Sequence, residues 1–206
     1  MTLALTIVRH GNTFASHEPA RRIGARTDLP LVASGEAQAR SVGRFFAGEG
    51  PRFDRVLVSP LRRTRRTAEL ILTEMNVAPA VETCSWLAEI DHGPDENQPE
   101  DKVLARIGAE ALARWNEALV VPPGWSVDAP VRIAAWRELL ATVTGHLLIV
   151  TSAGAARFAL QADAALAGQA AGLASTKLRT GAWGRITTMA GQARIEAWDR
   201  RPLDPA

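Results

Sequence analysis

The residues best suited to chemistry are Arg9 and His10, which follow a mostly apolar run at 3–8 and precede Gly11. Such a run stopped by a glycine is typical of a buried strand that enters a tight turn. Ligands of open α/β sheets bind beyond the carboxyl ends of the strands. A histidine there can act as a base, a metal ligand or a nucleophile, and an arginine fork matches phosphate or carboxylate oxygens. The stretch therefore predicts a site for an anionic substrate, with a plain surface strand end as the alternative.

A cluster of arginines follows residues 54–58, which end in the apolar Val56-Leu57-Val58 and which we also predict to be a short buried strand. The run leads through Ser59 into a predicted helix from Leu61 to about Met75. Basic side chains are unfavourable at the positive end of a helix dipole, so the cluster indicates a nearby anion. Since each residue turns the helix by about 100°, one of Arg62 and Arg63 can face back over the strand end, and the others are expected on a solvated face.

A carboxylate, Glu89, lies between apolar residues and is soon followed by His92. Apolar neighbours such as Trp86 and Ile90 would raise the pKa of this carboxyl group and suit it to general acid catalysis. The alternative is an exposed glutamate at a strand end.

The elements that must position these residues alternate between strands and helices. A third buried strand is predicted at 147–150, and Ser152 is well placed to cap the helix that follows it, which we expect to end near Gly168. A weak strand is predicted at 77–81 and a closing hairpin at 182–189 and 193–198. Short connections between these elements predict an α/β fold, a three-layer sandwich with a mainly parallel central sheet flanked by helices. Arg9, His10, the arginine cluster, Glu89 and Ser152 would then meet at one edge.

Composition limits the function classes. The 206 residues fit one domain, 1–206, and carry a net charge of only +2, with Lys102 and Lys177 as the only lysines. This balance predicts no nucleic-acid and no membrane partner, and no aromatic residues alternate with the arginine cluster. A single cysteine, Cys84, excludes an internal disulfide and suggests a cytoplasmic protein. No spacing of metal ligands is found, so we expect no metal and no cofactor.

Four segments of the chain form a known pattern. They read Arg9-His10-Gly11-Asn12-Thr13, then Gly24 to Ala39 with Asp28-x-Pro30-Leu31, Gly35 and Gln38, then Ser59-x-Leu61-x-Arg63-Thr64 with Thr67-Ala68, and finally Leu87-x-Glu89 with Gly93. In this order and spacing the chain resembles the histidine phosphatase superfamily, in its phosphoglycerate mutase-like branch. The resemblance covers nearly the whole chain and implies the phosphoglycerate mutase-like fold.

The resemblance also implies roles for the matching residues. His10 would be the nucleophile that forms a phosphohistidine, and Arg9 and Arg63 would bind the phosphate oxygens. Glu89 would protonate the leaving oxygen and later activate water. This chemistry needs no metal, because arginines and helix N-termini stabilise the charge that spreads over the phosphoryl oxygens.

One departure from the family pattern concerns its second histidine, expected in a Val-x-His-Gly-Gly-x-x-Arg segment. The chain has Ser152 at that place, within Val150 to Arg157. A hydroxyl contributes about 0.5–1.5 kcal/mol to a phosphate contact, against roughly 1.5–3 for a charged imidazole, so turnover would fall on the order of tenfold. Either Ser152 acts alone as a phosphate ligand, or His92 supplies the missing imidazole. Asn12, Ser16 (where the family often has asparagine) and Gly24 are further expected substrate contacts, with His92.

Three functions follow from this pattern. The leading hypothesis is a metal-independent phosphomonoesterase of reduced or atypical activity, acting on a small phosphate ester through His10. The alternative is a catalytically impaired protein that binds phosphate esters without turnover, and a phosphoglycerate-type mutase is the least favoured. Substrate choice would depend on the loop 12–28 and on an insertion at 94–130, which we expect to form a lid with Trp115 and Trp125. The sequence gives no indication of the oligomeric state.

Overall fold

A computed structural model describes residues 3–49 and 52–202; residues 1–2, 50–51 and 203–206 of the predicted domain lie outside the described residues. The described strands are β1 (Leu3–Arg9), β2 (Arg55–Val58), β3 (Ala80–Thr83), β4 (Gly145–Thr151), β5 (Trp183–Met189) and β6 (Gln192–Arg200). The described α-helices are α1 (Ala33–Glu49), α2 (Arg62–Met75), α3 (Glu100–Ala118), α4 (Ala129–Thr142), α5 (Ala153–Ala156) and α6 (Ala164–Ala170). Short 3₁₀ turns lie at Ser85–Leu87, Gly93–Asp95 and Arg157–Gln161.

The strands form one sheet in the order β3-β2-β4-β1-β5-β6. The pairs β3–β2, β2–β4 and β4–β1 are parallel, whereas β1–β5 and β5–β6 are antiparallel. The predicted α/β fold with a mainly parallel sheet is thus confirmed, and the predicted closing hairpin is the antiparallel edge.

The central strands are mostly apolar in their interior, and both faces of the sheet are covered. In β4, Leu147 and Ile149 belong to one buried cluster with α4 and α6, while Leu148 and Val150 belong to a second cluster with α1 and α2. Strands buried on both faces show continuous apolar runs rather than alternation. This explains why β1, β2 and β4 are visible in the sequence as short apolar runs.

Two elements differ from the predictions. The weak strand expected at 77–81 lies at Ala80–Thr83, with all four residues exposed, because it forms the sheet edge beside β2. The helix expected from Ser152 to near Gly168 is wrong: it consists of α5, a 3₁₀ turn and α6. The side chain of Asp163 accepts hydrogen bonds from the N–H groups of Ala165 and Leu166, and so begins α6 anew.

The segment 94–130 contains a 3₁₀ turn, α3 and the start of α4. Trp115 and Trp125 are both buried in the core cluster that contains Leu147 and Ile149, and their ring centroids are 5.6 Å apart. A lid role for this segment stays a prediction. None of the described helices is long and apolar enough to cross a membrane.

Candidate active site

The parallel pairing of β1 and β4 places two predicted site residues side by side. Arg9 is level with Thr151 in the register, and the N–H of His10 donates to the carbonyl of Thr151 at 3.0 Å. His10 and Ser152 are therefore the first residues beyond adjacent strand ends. This register places both residues at the carboxyl edge of the sheet, where the sequence predicts the site.

The ring of His10 is buried and held by a hydrogen bond at each nitrogen. Its Nδ1 lies 2.8 Å from the carbonyl oxygen of Gly11, and its Nε2 lies 3.2 Å from Nε of Arg63. A carbonyl accepts and a guanidinium donates, so Nδ1 carries the proton and Nε2 presents its lone pair. Burial, together with the charges of Arg63 and Arg9, holds the pKa of His10 well below its usual range. The ring is neutral, as a nucleophile requires.

Arg63 is the member of the arginine cluster that faces the strand end. It is fully buried, and its two Nη groups donate to the carbonyls of Thr27 and Gly24 at 2.8 and 3.1 Å. Arg62, by contrast, is exposed. Burial lowers the pKa of Arg63, and nearby carboxylates, with Glu89 first, oppose that shift. The loop that carries Gly24 and Thr27 thus fixes this guanidinium over His10.

Arg9 lies on the other side of the turn, where its Nη1 donates to the carbonyl of Leu178 at 2.8 Å. Within the described residues, its buried Nε has no hydrogen-bond partner. Burial, against the opposing charge of Glu89, lowers the pKa of Arg9 to about 10. The guanidinium remains charged at neutral pH and retains donors for an anion.

Glu89 is buried beside the N-terminus of α5. Its Oε2 accepts from the N–H of Gly154 at 3.1 Å, and its Oε1 accepts from the N–H of Ile90 at 2.9 Å. A Cβ at position 154 would lie 2.2 Å from Oε1, so the glycine is needed for this close approach. The carbonyls of Trp86 and Ala88 accept from Arg132, which holds the segment before Glu89 in place.

The expected rise in the pKa of Glu89 is wrong for the free protein. Burial alone raises the pKa, but His92, the two backbone N–H groups and Arg63 outweigh it, so the pKa lies below the usual value. A phosphate dianion bound nearby would raise it again, because a second negative charge disfavours the ionised carboxylate.

Ser152 is completely buried. Its Oγ forms no hydrogen bond within residues 3–49 and 52–202, not even the expected capping bond to the N-terminus of α5. The side chain is thus a buried hydroxyl at the strand end beside that of His10, and its hydrogen-bonding capacity is unused in the described structure.

His92 is buried rather than turned to solvent. Its ring packs edge-on against Trp125, with centroids 4.5 Å apart, and its Nδ1 lies 3.6 Å from a carboxylate oxygen of Glu96. His92 lines the same pocket as His10, but its described polar neighbour is Glu96 rather than His10 or Ser152. Its role as a replacement imidazole stays a prediction.

The other predicted substrate contacts, Asn12, Gly24 and Ser16, differ in whether they line the pocket. Asn12 lines the pocket, and its Oδ1 accepts from the hydroxyl of Thr180 at 2.6 Å. Gly24 contributes the carbonyl that binds Arg63, and a Cβ there would meet Glu96, the carbonyl of Ile90 and His92 within 2.6 Å. Ser16 is exposed and does not line this pocket.

Arg9, His10, Asn12, Glu89 and His92 line a pocket of about 430 Å³, within the range of small-ligand sites, whereas Arg63, Ser152 and Gly24 lie outside its lining. Four basic residues in its lining have no individual role predicted from the sequence: Arg21, Arg22, Arg157 and Lys177. They come from the loop after β1, from the turn after α5 and from the loop before β5. A weak signal was present for Arg157, which ends the Val150 to Arg157 segment. No group of three or more described His, Cys, Asp or Glu residues is arranged to hold a metal.

A profile of the histidine phosphatase superfamily (branch 1) matches residues 5–201, which is nearly the whole chain. The chain belongs to the histidine phosphatase superfamily. The resemblance seen in the four sequence segments is thereby confirmed, and the protein is a histidine phosphatase-type hydrolase.

Solved structures agree with this fold. An alpha-ribazole phosphatase from Shigella flexneri is 21% identical over 98% of this chain and 99% of its own, with a TM-score of 0.70. A mycobacterial glucosyl-3-phosphoglycerate phosphatase is 19% identical over 97% and 99%, with a TM-score of 0.74. A protein from Thermus thermophilus is 28% identical over 94% and 97%, with a TM-score of 0.64. The fold of this chain thus matches these solved structures over nearly the whole length of both chains.

Proposed function

We propose that this protein is a metal-independent phosphomonoesterase that works through a phosphohistidine at His10. The observation that carries the proposal is the state of the His10 ring, which is neutral, protonated at Nδ1 and has its Nε2 lone pair directed at Nε of Arg63. A nucleophile of this kind splits hydrolysis into two easier displacements. Arg9, Arg63 and Ser152 are the proposed phosphate ligands, and Glu89 is the proposed acid and base.

In the first step the ester phosphate takes the place of the Arg63–His10 hydrogen bond. Nε2 of His10 attacks phosphorus, and the bond from phosphorus to the ester oxygen breaks. Glu89, protonated once the dianion lies beside it, gives its proton to the leaving alcohol. The products of this step are a free alcohol, a phosphorylated His10 and an ionised Glu89.

In the second step Glu89 accepts a proton from water while the water oxygen attacks phosphorus. The bond between Nε2 and phosphorus breaks, inorganic phosphate leaves, and His10 returns to its neutral form. Arg9 and Arg63 stabilise the charge on the phosphoryl oxygens in both steps. With the hydroxyl of Ser152 in place of an imidazole, we expect slower turnover, on the order of tenfold.

The experiment measures release of p-nitrophenol from p-nitrophenyl phosphate between pH 5 and 8, with and without a chelator. We expect chelator-independent release by the wild type, loss of it in His10→Ala, and retention in His17→Ala. His17 is a matched control because it is exposed and outside the pocket lining. Equal release by the wild type and His10→Ala would refute the proposal.

The second candidate, a phosphate-ester-binding protein without turnover, is favoured by Ser152 alone. It predicts that an acid-labile phosphoryl group never forms on His10. Rapid quenching at alkaline pH after mixing with a ³²P-labelled ester separates the two functions, because phosphohistidine survives alkali. Labelled protein in the wild type but not in His10→Ala supports the enzyme, and absence of label together with tight phosphate binding supports the binding protein.

A further inference from the structure

The pocket holds more positive charge than one phosphate group needs. Five lysine or arginine side chains and two carboxylates line it, and Arg63, outside the lining, donates a hydrogen bond to Nε2 of His10. The proposed phosphate site uses Arg9 and Arg63. Cations held close together repel each other unless an anion lies between them, and the effect is stronger where water is excluded.

Arg157 is the most enclosed of the additional cations. It is 3% exposed, its guanidinium lies 4.6 Å from the ring centroid of Trp115, and its Nη1 donates to the carbonyls of Trp115 and Asn116. Its buried Nε, by contrast, has no partner among the residues that the structure describes. Arg157 forms no ion pair with a carboxylate among the described residues, although the charge of Glu89 acts on it from a distance. A fixed, buried guanidinium on the pocket wall therefore keeps an unused donor.

Arg22 and Lys177 lie close enough to Arg157 for their charges to affect one another. Enclosure by the pocket and the charges of Arg9, Arg22 and Arg157 lower the pKa of Lys177, although its side chain still reaches solvent. Within the described ranges its ammonium group has no ion-pair partner. Arg22 pairs with Glu100 at 2.5 Å, but its buried Nε is unpartnered in the described structure. We call Arg22, Arg157 and Lys177 the basic wall.

We infer that the basic wall binds a second anionic group of the substrate, so that the preferred ester carries a carboxylate or another phosphate besides the one transferred. The inference rests on the proposed function, since it takes the His10 site to hold the transferred phosphoryl group. The pocket volume of about 430 Å³ limits the alcohol part to a small molecule. Phe14 and Trp115 supply apolar wall between the charged regions.

The test compares matched aryl phosphates by phosphate release. The three carboxyphenyl phosphate isomers are each paired with the carbamoylphenyl phosphate of the same substitution, which has nearly the same shape and no charge. We expect kcat/KM to be roughly tenfold higher for the best carboxyphenyl ester than for its carbamoyl partner. This factor corresponds to the lower end of the free energy that one charge-assisted hydrogen bond contributes. Phenylene bisphosphates in the same assay show whether carboxylate or phosphate is preferred.

Lys177→Gln is the decisive variant because this side chain reaches solvent and its removal leaves the buried packing intact. We expect the preference for the charged ester to fall severalfold in Lys177→Gln. Lys102→Gln is the control: it removes the same charge from an exposed position outside the pocket lining, and it should keep the preference. A wild type without preference, or an unchanged preference in Lys177→Gln, overturns the inference.

A binding measurement separates this inference from the proposed function. Calorimetry with phosphonoacetate and with ethylphosphonate needs no turnover, and we expect the wild type to bind phosphonoacetate about tenfold more tightly, with the difference reduced in Lys177→Gln. If no ester is hydrolysed but this difference is found, the phosphatase proposal fails and the second anion site stands. Equal affinities for the two phosphonates would refute the second site, whatever the hydrolysis assay gives.

Discussion

Replacing Ser152 by alanine should make the protein more stable and less active at once. The residue is fully buried, and its Oγ has no hydrogen-bond partner in the part of the chain that the structure describes. A buried hydroxyl without a partner costs about 1–3 kcal/mol. Ser152→Ala removes that cost, so we expect the free energy of unfolding to rise by about 1 kcal/mol. For a chain of this size the melting temperature then rises by roughly 2–4 °C.

In the proposed function the same hydroxyl is expected to gain a partner when a phosphoryl group occupies the site. One neutral hydrogen bond contributes about 0.5–1.5 kcal/mol, so its loss should lower kcat/KM for p-nitrophenyl phosphate by about two- to tenfold. The assay pairs thermal unfolding in the absence of phosphate with initial rates on the same preparation. Inorganic phosphate should then stabilise the wild type more than Ser152→Ala.

Ser59 provides the matched control. It is also fully buried, but its Oγ accepts a hydrogen bond from the N–H of Leu61 at 3.4 Å. Ser59→Ala should therefore lower the melting temperature, the opposite direction to Ser152→Ala. If Ser152→Ala destabilises the protein as Ser59→Ala does, the hydroxyl has a partner in the free protein. If kcat/KM is unchanged, it does not touch the phosphoryl group.

Three further predictions concern the acid, the nucleophile and the pH dependence of stability. Gly154→Ala places a Cβ 2.2 Å from Oε1 of Glu89 and should displace this acid. The value of kcat/KM should then fall at least tenfold more for an alkyl phosphate, whose leaving group needs the acid, than for p-nitrophenyl phosphate. Equal losses for the two esters would refute the role of Glu89 as the acid. Nitrogen NMR of His10 should show a neutral ring with its proton on Nδ1 at pH 6, because burial, Arg63 and Arg9 lower its pKa. A charged ring would contradict the proposed nucleophile. Burial lowers the pKa of His146 from 6.5 to about 4, so the unfolded chain binds more protons between these pH values and the protein loses stability as the pH falls through them. The urea midpoint of His146→Gln should therefore drop less between pH 6.5 and 4.5 than that of the wild type. An unchanged drop would refute the lowered pKa of His146.

Several parts of the fold were predictable because burial leaves a local mark on the sequence. β1, β2 and β4 are covered on both faces, so the interior of each strand is a short, mostly apolar run. β3 lies at the exposed edge and has no such mark, which is why its predicted position was three residues early. The broken helix after β4 was missed because the side-chain cap at Asp163 begins a new helix inside an alanine-rich stretch that would otherwise continue.

The sequence by itself determined the family, the mainly parallel α/β fold and the residues that follow each central strand, since these depend on neighbours along the chain. It also limited the choice within the arginine cluster to Arg62 or Arg63. Only the tertiary structure decided in favour of Arg63, because the carbonyls of Gly24 and Thr27 that hold it come from a loop more than thirty residues away. The basic wall is likewise assembled from three distant segments. Charges that meet only after folding leave no spacing in the sequence, so their shared pocket could be found only in three dimensions.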